Sequence, residues 1–437
     1  MSIRRFFLLA LFACTSTARA AEEQWLLNID LWGTPYYQLL QLQDQAGALS
    51  GTLDNDPVAG QRKGRKLHFS ATDAQQARYV FNGEQQAGSL SGKADFPDSN
   101  HPERRAVHAF SARRLPARPP GPPRHLNYQA DSYANTFSAE RTPVLTLWPG
   151  DSVSTATIDS GGVDQHGTTV ALFGNPQIGP FYVAGAMPGD TLVVRLKKIR
   201  LNRDYADSLD SIVHRALGIA QAGKATELGK PVRWKLDRTR GMASPENAGA
   251  RLAAFEVPVR PMLGGLAVAP GFGSPPMSTG DTGRNGGNMD FNGVVEGTTV
   301  YLPVYQPGAL LYLGDGHALQ GDGETSQYAL ETSLDVEFSV EIQRGNSVAM
   351  PRVESPSQLM VLGQAGSLDE ALRAATSGLS LWLQQSYGLS LSEVAQVLGS
   401  SVEYRIANLA GRSVGLVAAI DKQRLQNIPS HAAAPSP

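Results

Sequence analysis

The densest chemistry in this 437-residue chain lies in Gly314-Asp315-Gly316-His317-Ala318-Leu319-Gln320-Gly321-Asp322-Gly323-Glu324. Four glycines there separate three carboxylates and one imidazole. Glycine lets the backbone take positive φ and lets a ligand approach closely. Asp315 and His317 are two residues apart, so in an extended chain they project to one face, as do Asp322 and Glu324. An imidazole with carboxylates suits zinc or another divalent ion. An oxygen-only calcium loop of Asp315, Asp322 and Glu324 is the rival, without EF-hand spacing. A tight glycine turn with solvated acids also satisfies the pattern. Further ligands can come from Asp159, which ends a strand at Thr157-Ile158-Asp159-Ser160-Gly161-Gly162, and from Asp290 in Gly286-Gly287-Asn288-Met289-Asp290. Glu331 follows shortly after Glu324. His166 sits in a polar turn, and His214 reads as structural.

Other chemistries drop out. Cys14 is the single cysteine, so no internal disulfide, thiolate zinc cluster or iron–sulfur site can form. G-x-x-x-x-G-K-[ST] and H-E-x-x-H are absent from the sequence. Lys+Arg is 38 against 40 Asp+Glu, which argues against a basic nucleic-acid binder. With 41% hydrophobic and only 18% charged residues, the chain is not a disordered polyelectrolyte.

The elements that must position these groups are mainly strands. Gly (45) and Pro (28) are abundant, which implies many turns and short strands. Residues 21–115 alternate apolar and polar positions, as in Trp25–Leu31, Leu67–Ser70 and Arg78–Phe81, and predict a small antiparallel β domain. It reads as an appended scaffold or a binder of a ligand or partner. Gly47-Ala48-Leu49-Ser50-Gly51 is echoed by Gly88-Ser89-Leu90-Ser91-Gly92. A Pro-rich linker spans 116–125. Strands resume at Val144–Trp148, Asp190–Leu196 and Thr298–Leu302, and Pro-Gly-Asp recurs at 149–151 and 188–190, suggesting two similar β modules. Ser367-Leu368-Asp369-Glu370 and Ser390-Leu391-Ser392-Glu393 fit capping boxes and predict a helical pair at 368–386 and 391–399, then a strand at 402–406. Residues 429–437 read as a disordered tail.

Residues 1–20 read as a signal peptide: Arg4-Arg5, an apolar run from Phe6 to Ala13, and Ala18-Arg19-Ala20 as the cleavage signal. The twin-arginine route and lipidation at Cys14 are alternatives for how it is used. No later run of about 18 apolar residues predicts a membrane span. A periplasmic or secreted mature chain from Ala21 would hold no cysteine and carry 35 basic against 40 acidic residues.

The chemistry-bearing strings resemble the acetamidase/formamidase family. The resemblance is carried by Gly286–Asp290, Tyr301-Leu302-Pro303-Val304, Pro307-Gly308-Ala309, Gly314–Ala318 and Gln320–Glu324. Upstream it extends through Pro143–Thr146, Pro149–Asp151, Gly179–Asp190 and Pro258–Pro270, collinear from about 125 to about 425. The signal peptide and residues 21–115 are additions to the family pattern, and Asn135-Thr136-Phe137 lacks the Trp-Gly expected after His125. The resemblance implies a β-sandwich/barrel core with the helical pair at its C-terminal end, over residues 126–428. It also implies a metal-binding homo-oligomer that hydrolyses small linear amides to carboxylate and ammonia. On this reading Asp159, Asp315 and His317 hold a divalent metal, expected to be zinc. Glu324 is the general base, Asn288 steadies the oxyanion, and Asp290, Asp322 and Glu331 are further site residues. The competing expectation is a secreted binding or scaffold protein with an inactive amidase-like domain. A calcium-stabilised wall-associated protein is a third.

Overall fold

The computed structural model describes residues 23–271 and 274–430. The expected signal peptide, Cys14 and most of the tail lie outside the described residues. The chain divides between Ala117 and Arg118, inside the Pro-rich stretch, into two compact units.

The first unit is a closed barrel of eight strands, from Glu23–Leu31 to Arg105–Arg114, each paired antiparallel with the next and the last with the first. Closure removes the sheet edges that would otherwise template aggregation. Alternate residues fill the interior: Trp25, Leu27, Ile29, Leu40, Leu42, Phe69 and Phe81 are fully buried. Phe69 stacks on Phe81 at 4.7 Å between ring centroids. The sequence echo acquires a meaning here. Ala48–Leu53 and Ser89–Pro97 are the third and seventh strands, half a circuit apart. In each, the glycine (Gly51, Gly92) presses on a backbone carbonyl of the preceding strand, Gln41 or Asn82, where a Cβ would overlap it. Glycine is used in such places where strands approach closely at a barrel corner.

The second unit is a pair of sheets. A six-stranded sheet runs in the order Leu145–Leu147, Gln177–Val183, Leu311–His317, Met262–Val268, Gly286–Asn288, Thr282–Gly283. A nine-stranded sheet has Thr191–Leu201, Leu334–Gln343 and Ser152–Ala156 as consecutive neighbours. Both sheets contribute to one core, including Ile178, Phe181, Leu263, Leu266 and Leu313 from the first and Leu192, Val300 and Phe338 from the second. A four-stranded sheet (Tyr205–Leu209, Pro231–Asp237, Met242–Pro245, Val257–Pro258) stands beside them in the chain. The two Pro-Gly-Asp turns are alike: Trp148 N–H donates to the Asp151 carboxylate and Met187 N–H to that of Asp190, both at 3.0 Å. Each launches a strand, and the two strands flank the same partner, Leu334–Gln343.

The helical pair forms at Leu368–Tyr387 and Leu391–Ser401. Ser390 and Glu393 make the complete capping box, whereas Glu370 reaches the Ser367 hydroxyl and leaves the Ser367 N–H aside. The buried stripe Ala371, Ala375, Gly378, Leu379, Trp382, Leu383 recurs at helical spacing and packs with Val361, Ala418 and Ile420 of the strands beneath. Among the described residues no helix is long and apolar enough to cross a membrane.

Helix and sheet meet most tightly at Gly363, where a Cβ would overlap the Ala371 carbonyl. Gly363→Ala should lower unfolding free energy by ~1–3 kcal/mol, the usual cost of overpacking. Urea unfolding followed by tryptophan fluorescence checks this.

Candidate metal centre

The site is built where a strand changes the side on which it buries its residues. Leu311 and Leu313 point into the main core. Regular alternation would send Asp315 and His317 there too. Asp315, however, takes φ of 57°, in the left-handed region. Beyond it, Gly316 is the residue whose Cβ would meet Leu334, and Ala318 is the one in the core. The neighbouring strand breaks step at the same level, with Leu263 and Leu266 both in the core and Gly264 between them. A Cβ on Gly264 would come within 2.5 Å of Asp315 Oδ2, 2.6 Å of Asp290 Oδ1 and 3.0 Å of the His317 ring. Gly264 is therefore the floor of the site, and any side chain there would fill it.

Asp290, Asp315, His317, Glu324 and Glu331 converge above this floor, all buried. Ligand atoms of Asp315, His317 and Glu331 lie within 4.8 Å of one another, as do those of Asp290, His317 and Glu324. His317 Nε2 is 3.5 Å from Asp315 Oδ1 and 3.3 Å from Glu331 Oε1. The Ala329 N–H donates to both Glu324 Oε1 and Glu331 Oε1, each at 3.1 Å. Asp290 and Glu324 share the positive φ of Asp315, at 42° and 46°. Such backbone is uncommon outside glycine and clusters at functional sites.

A ring of amides fixes the acids. Asn288 and Asn408 both donate to Asp290 Oδ2. Asn175, also at positive φ, donates to Asn288 Oδ1 at 2.6 Å and Asp315 Oδ2 at 3.2 Å. Gln320 sets the imidazole. Its Nε2 donates to the carbonyls of Asp290 and Ala407, so its Oε1 must face His317 Nδ1, at 3.0 Å. Nδ1 is then the donor, and Nε2 is turned toward the carboxylates.

Four carboxyls and one imidazole cannot all ionise in so small a buried volume. Burial, then the Asp315 charge, hold Asp290 well above the carboxylate range. Burial, then Asp290, do the same for Glu324. Burial also raises Glu331, with His317 opposing and Asp315 adding to the rise. For His317, burial opposes the charged ring, but Glu331 and Asp315 outweigh it and push its pKa well up. Asp290 Oδ1, Asp315 Oδ1, His317 Nε2 and Glu331 Oε2 are buried without a hydrogen-bond partner. Orphaned oxygens and an imidazole nitrogen facing one small space form a donor set that fits a divalent cation.

The sequence reading needs three corrections. Asp159 belongs to neither ligand group: its Oδ2 pairs with the buried Arg203 at 2.6 Å and its Oδ1 accepts the Val163 N–H at 2.8 Å. Asp322 pairs with Arg405 and Asn292 and belongs to neither ligand group. Asn288 spends its amide on Asp290, so it positions a carboxylate where an oxyanion donor was expected. His166 and His214 are both exposed. Asn175, Arg203, Gly264, Gln320 and Asn408 were not anticipated. Gln320 lies inside the glycine–acid string and Gly264 inside Pro258–Pro270, whereas Asn175, Arg203 and Asn408 lie in none of the named strings.

Residues 277–405 match the model of the Acetamidase/Formamidase family. A solved protein of Thermoanaerobacter tengcongensis, described as a predicted acetamidase/formamidase, is 26% identical with a TM-score of 0.59, covering 70% of this chain and 98% of that one. The second unit is thus similar in fold to solved acetamidase/formamidase proteins, and the family model matches it over residues 277–405. An acetamidase of Yersinia enterocolitica is 25% identical with a TM-score of 0.60, over 70% of this chain and 94% of its own. A Schizosaccharomyces pombe protein named as a formamidase is 39% identical over 77 residues, 17% of this chain. That match spans only 18% of the yeast protein's length.

The upward shifts have one sign. A carboxyl or imidazole whose pKa is raised in the folded state binds more protons there than in the unfolded chain, so its stabilisation is lost as pH rises. Chelator-treated protein should therefore lose thermal stability between about pH 5 and about pH 8, across and above the ordinary carboxyl and imidazole values. Glu324→Gln should flatten that loss. Differential scanning calorimetry checks both, and a melting temperature that rises over this window contradicts the account.

Proposed function

We propose that this protein is an exported, metal-dependent amidohydrolase that cleaves a small linear amide, such as formamide or acetamide, to carboxylate and ammonia. The observation that carries the reading is the buried imidazole–carboxylate centre with its unpartnered donor atoms on a glycine floor. The family match and the names of the similar proteins support the choice of amide as substrate class. Asp315, His317 and Glu331 would hold the ion, and the imidazole nitrogen favours zinc over calcium. When bound, such an ion polarises a carbonyl and makes a coordinated water more acidic.

The remaining work falls to the chain. Gln320 keeps a proton of His317 on Nδ1, so the nitrogen that would give up its proton to an ion is Nε2. Asn288 and Asn408 hold Asp290 still. Asn175 does the same for Asp315. Glu324 is the proton carrier: its Oε1 is tied to the Ala329 N–H, and burial with the neighbouring Asp290 sets its raised pKa. A carboxyl so shifted holds a proton more readily than an exposed one, as a group that must take and return one requires. It takes the proton of the attacking water and returns it to the amide nitrogen, which leaves as ammonia when the C–N bond breaks. Burial of the centre excludes bulk water from competing for these hydrogen bonds.

Assembly as a homo-oligomer is part of this proposal and rests on the family resemblance; light scattering tests it. Export rests on the Arg4-Arg5 region, the Phe6–Ala13 run and Ala18-Arg19-Ala20. Protein recovered from the periplasm or medium should begin at Ala21 by N-terminal mass spectrometry, and an intact Met1 there would contradict it.

Zinc-loaded protein should release ammonia from formamide or acetamide. Glu324→Gln should lower kcat about 10²–10⁴-fold, the range expected for losing a general acid–base. Stopped ammonia assays measure this. No release from these or from a panel of longer or cyclic amides with metal present would favour a binding protein built on an inactive amidase-like domain.

A further inference from the structure

We infer that the physiological substrate is an amide bearing an apolar, ring-sized group, larger than formamide or acetamide. This rests on the amidase reading of the same site and extends it to a substrate class. A cavity of about 200 Å³ shares its inner wall with the metal centre. Gln320, Glu324 and Ala329 line it, and these set the imidazole, carry the proton and bridge the two glutamates. Most of the remaining lining is apolar, Trp234, Phe255, Val257, Leu319 and Leu330, with Thr325 and Ser326 the polar exceptions. Trp234 donates its Nε1–H to Ser208 Oγ at 2.9 Å, so its one polar atom is satisfied and the ring offers hydrocarbon. Phe255 meets Trp234 edge to face, with centroids 6.3 Å apart.

The size and chemistry of this space exceed what formamide or acetamide requires. Formamide carries no carbon on its carbonyl, and acetamide carries one methyl. Either would leave the aromatic wall facing water. An apolar cavity of about 150 Å³ suffices to bind benzene, so a ring fits here beside Glu324. Burying it against Trp234 and Phe255 orients the scissile bond toward the proton carrier, the use of remote binding energy that raises kcat/KM. The wall residues come mainly from two places. Trp234 and Val257 belong to the four-stranded sheet, and Leu319 and Leu330 lie within six residues of Glu324 on either side. The sheet would thus set specificity, while the sandwich sets the chemistry.

The reaction balances as ordinary hydrolysis. Water adds to the carbonyl carbon, the C–N bond breaks, and the nitrogen leaves with the proton taken from water. A ring on the acyl side gives an arylacetate and ammonia. A ring on nitrogen gives formate and an arylalkylamine.

Zinc-loaded protein should be assayed with formamide, acetamide, phenylacetamide and N-benzylformamide. At least one ring-bearing amide should exceed acetamide in kcat/KM by about 10-fold or more, the lower end of what one added methylene brings in an apolar pocket. Which of the two prevails tells whether the ring enters on the acyl or the amine side. Phe255→Ala, at a position 44% exposed and so tolerant of truncation, should cut the ratio of ring-bearing to acetamide kcat/KM several-fold, mainly through KM. Acetamide turned over as well as or better than both ring-bearing amides, or a ratio unmoved by Phe255→Ala, overturns the inference and leaves the amidase reading standing. No turnover of any of the four amides overturns both.

Discussion

The burial of four carboxyl groups around one imidazole is the constraint on which the second unit turns. Charges of one sign do not gather in a protein interior without a counter-ion or protons. The nearest guanidinium, Arg203, is spent on Asp159 and on the Glu331 carbonyl, and so it props the wall of the site. What remains is a pocket of negative charge whose own amides can orient the acids but cannot neutralise them. The chemistry follows from that imbalance, since a site that must recruit a cation or a proton is one that can also act on a substrate.

The backbone bears part of the cost. Three of the four acids, and Asn175 beside them, sit at positive φ without being glycine. Each such residue costs on the order of 1–3 kcal/mol and persists only when the surroundings over-determine it. The surroundings here are two sheets sharing one core, with Leu263, Leu266 and Leu313 fully buried around the irregular step. The scaffold's apolar packing thereby stabilises an arrangement that the local sequence would not adopt alone.

Much of this was legible in the chain. The alternation in residues 21–115 and the serine caps at 367 and 390 gave the β domain and the helical pair, because local patterning decides such elements. The closure of eight strands into a barrel was hidden, since register and closure depend on partners far away in sequence. At the site, Asp315, His317, Asp290 and Glu324 were visible because glycines crowd around them, and Glu331 only because it follows soon after Glu324. Asp159 misled, because an acid closing a strand looks the same whether it faces a cation or an arginine. Gly264 and Asn408 gave no local signal. One matters for the side chain it lacks, and the other reaches Asp290 from 118 residues away.

That last separation bears on how the protein reaches its native state. Asp290 is held by Asn408, Gln320 bonds the carbonyl of Ala407 87 residues on, and Asp315 is held by Asn175 140 residues earlier. Closing such long loops is slow, because chain entropy is lost before the contacts repay it. The carboxyl cluster therefore assembles only after both sheets have paired. The centre is whole only in the chain that has closed these loops, so completing the fold and completing the site are one requirement.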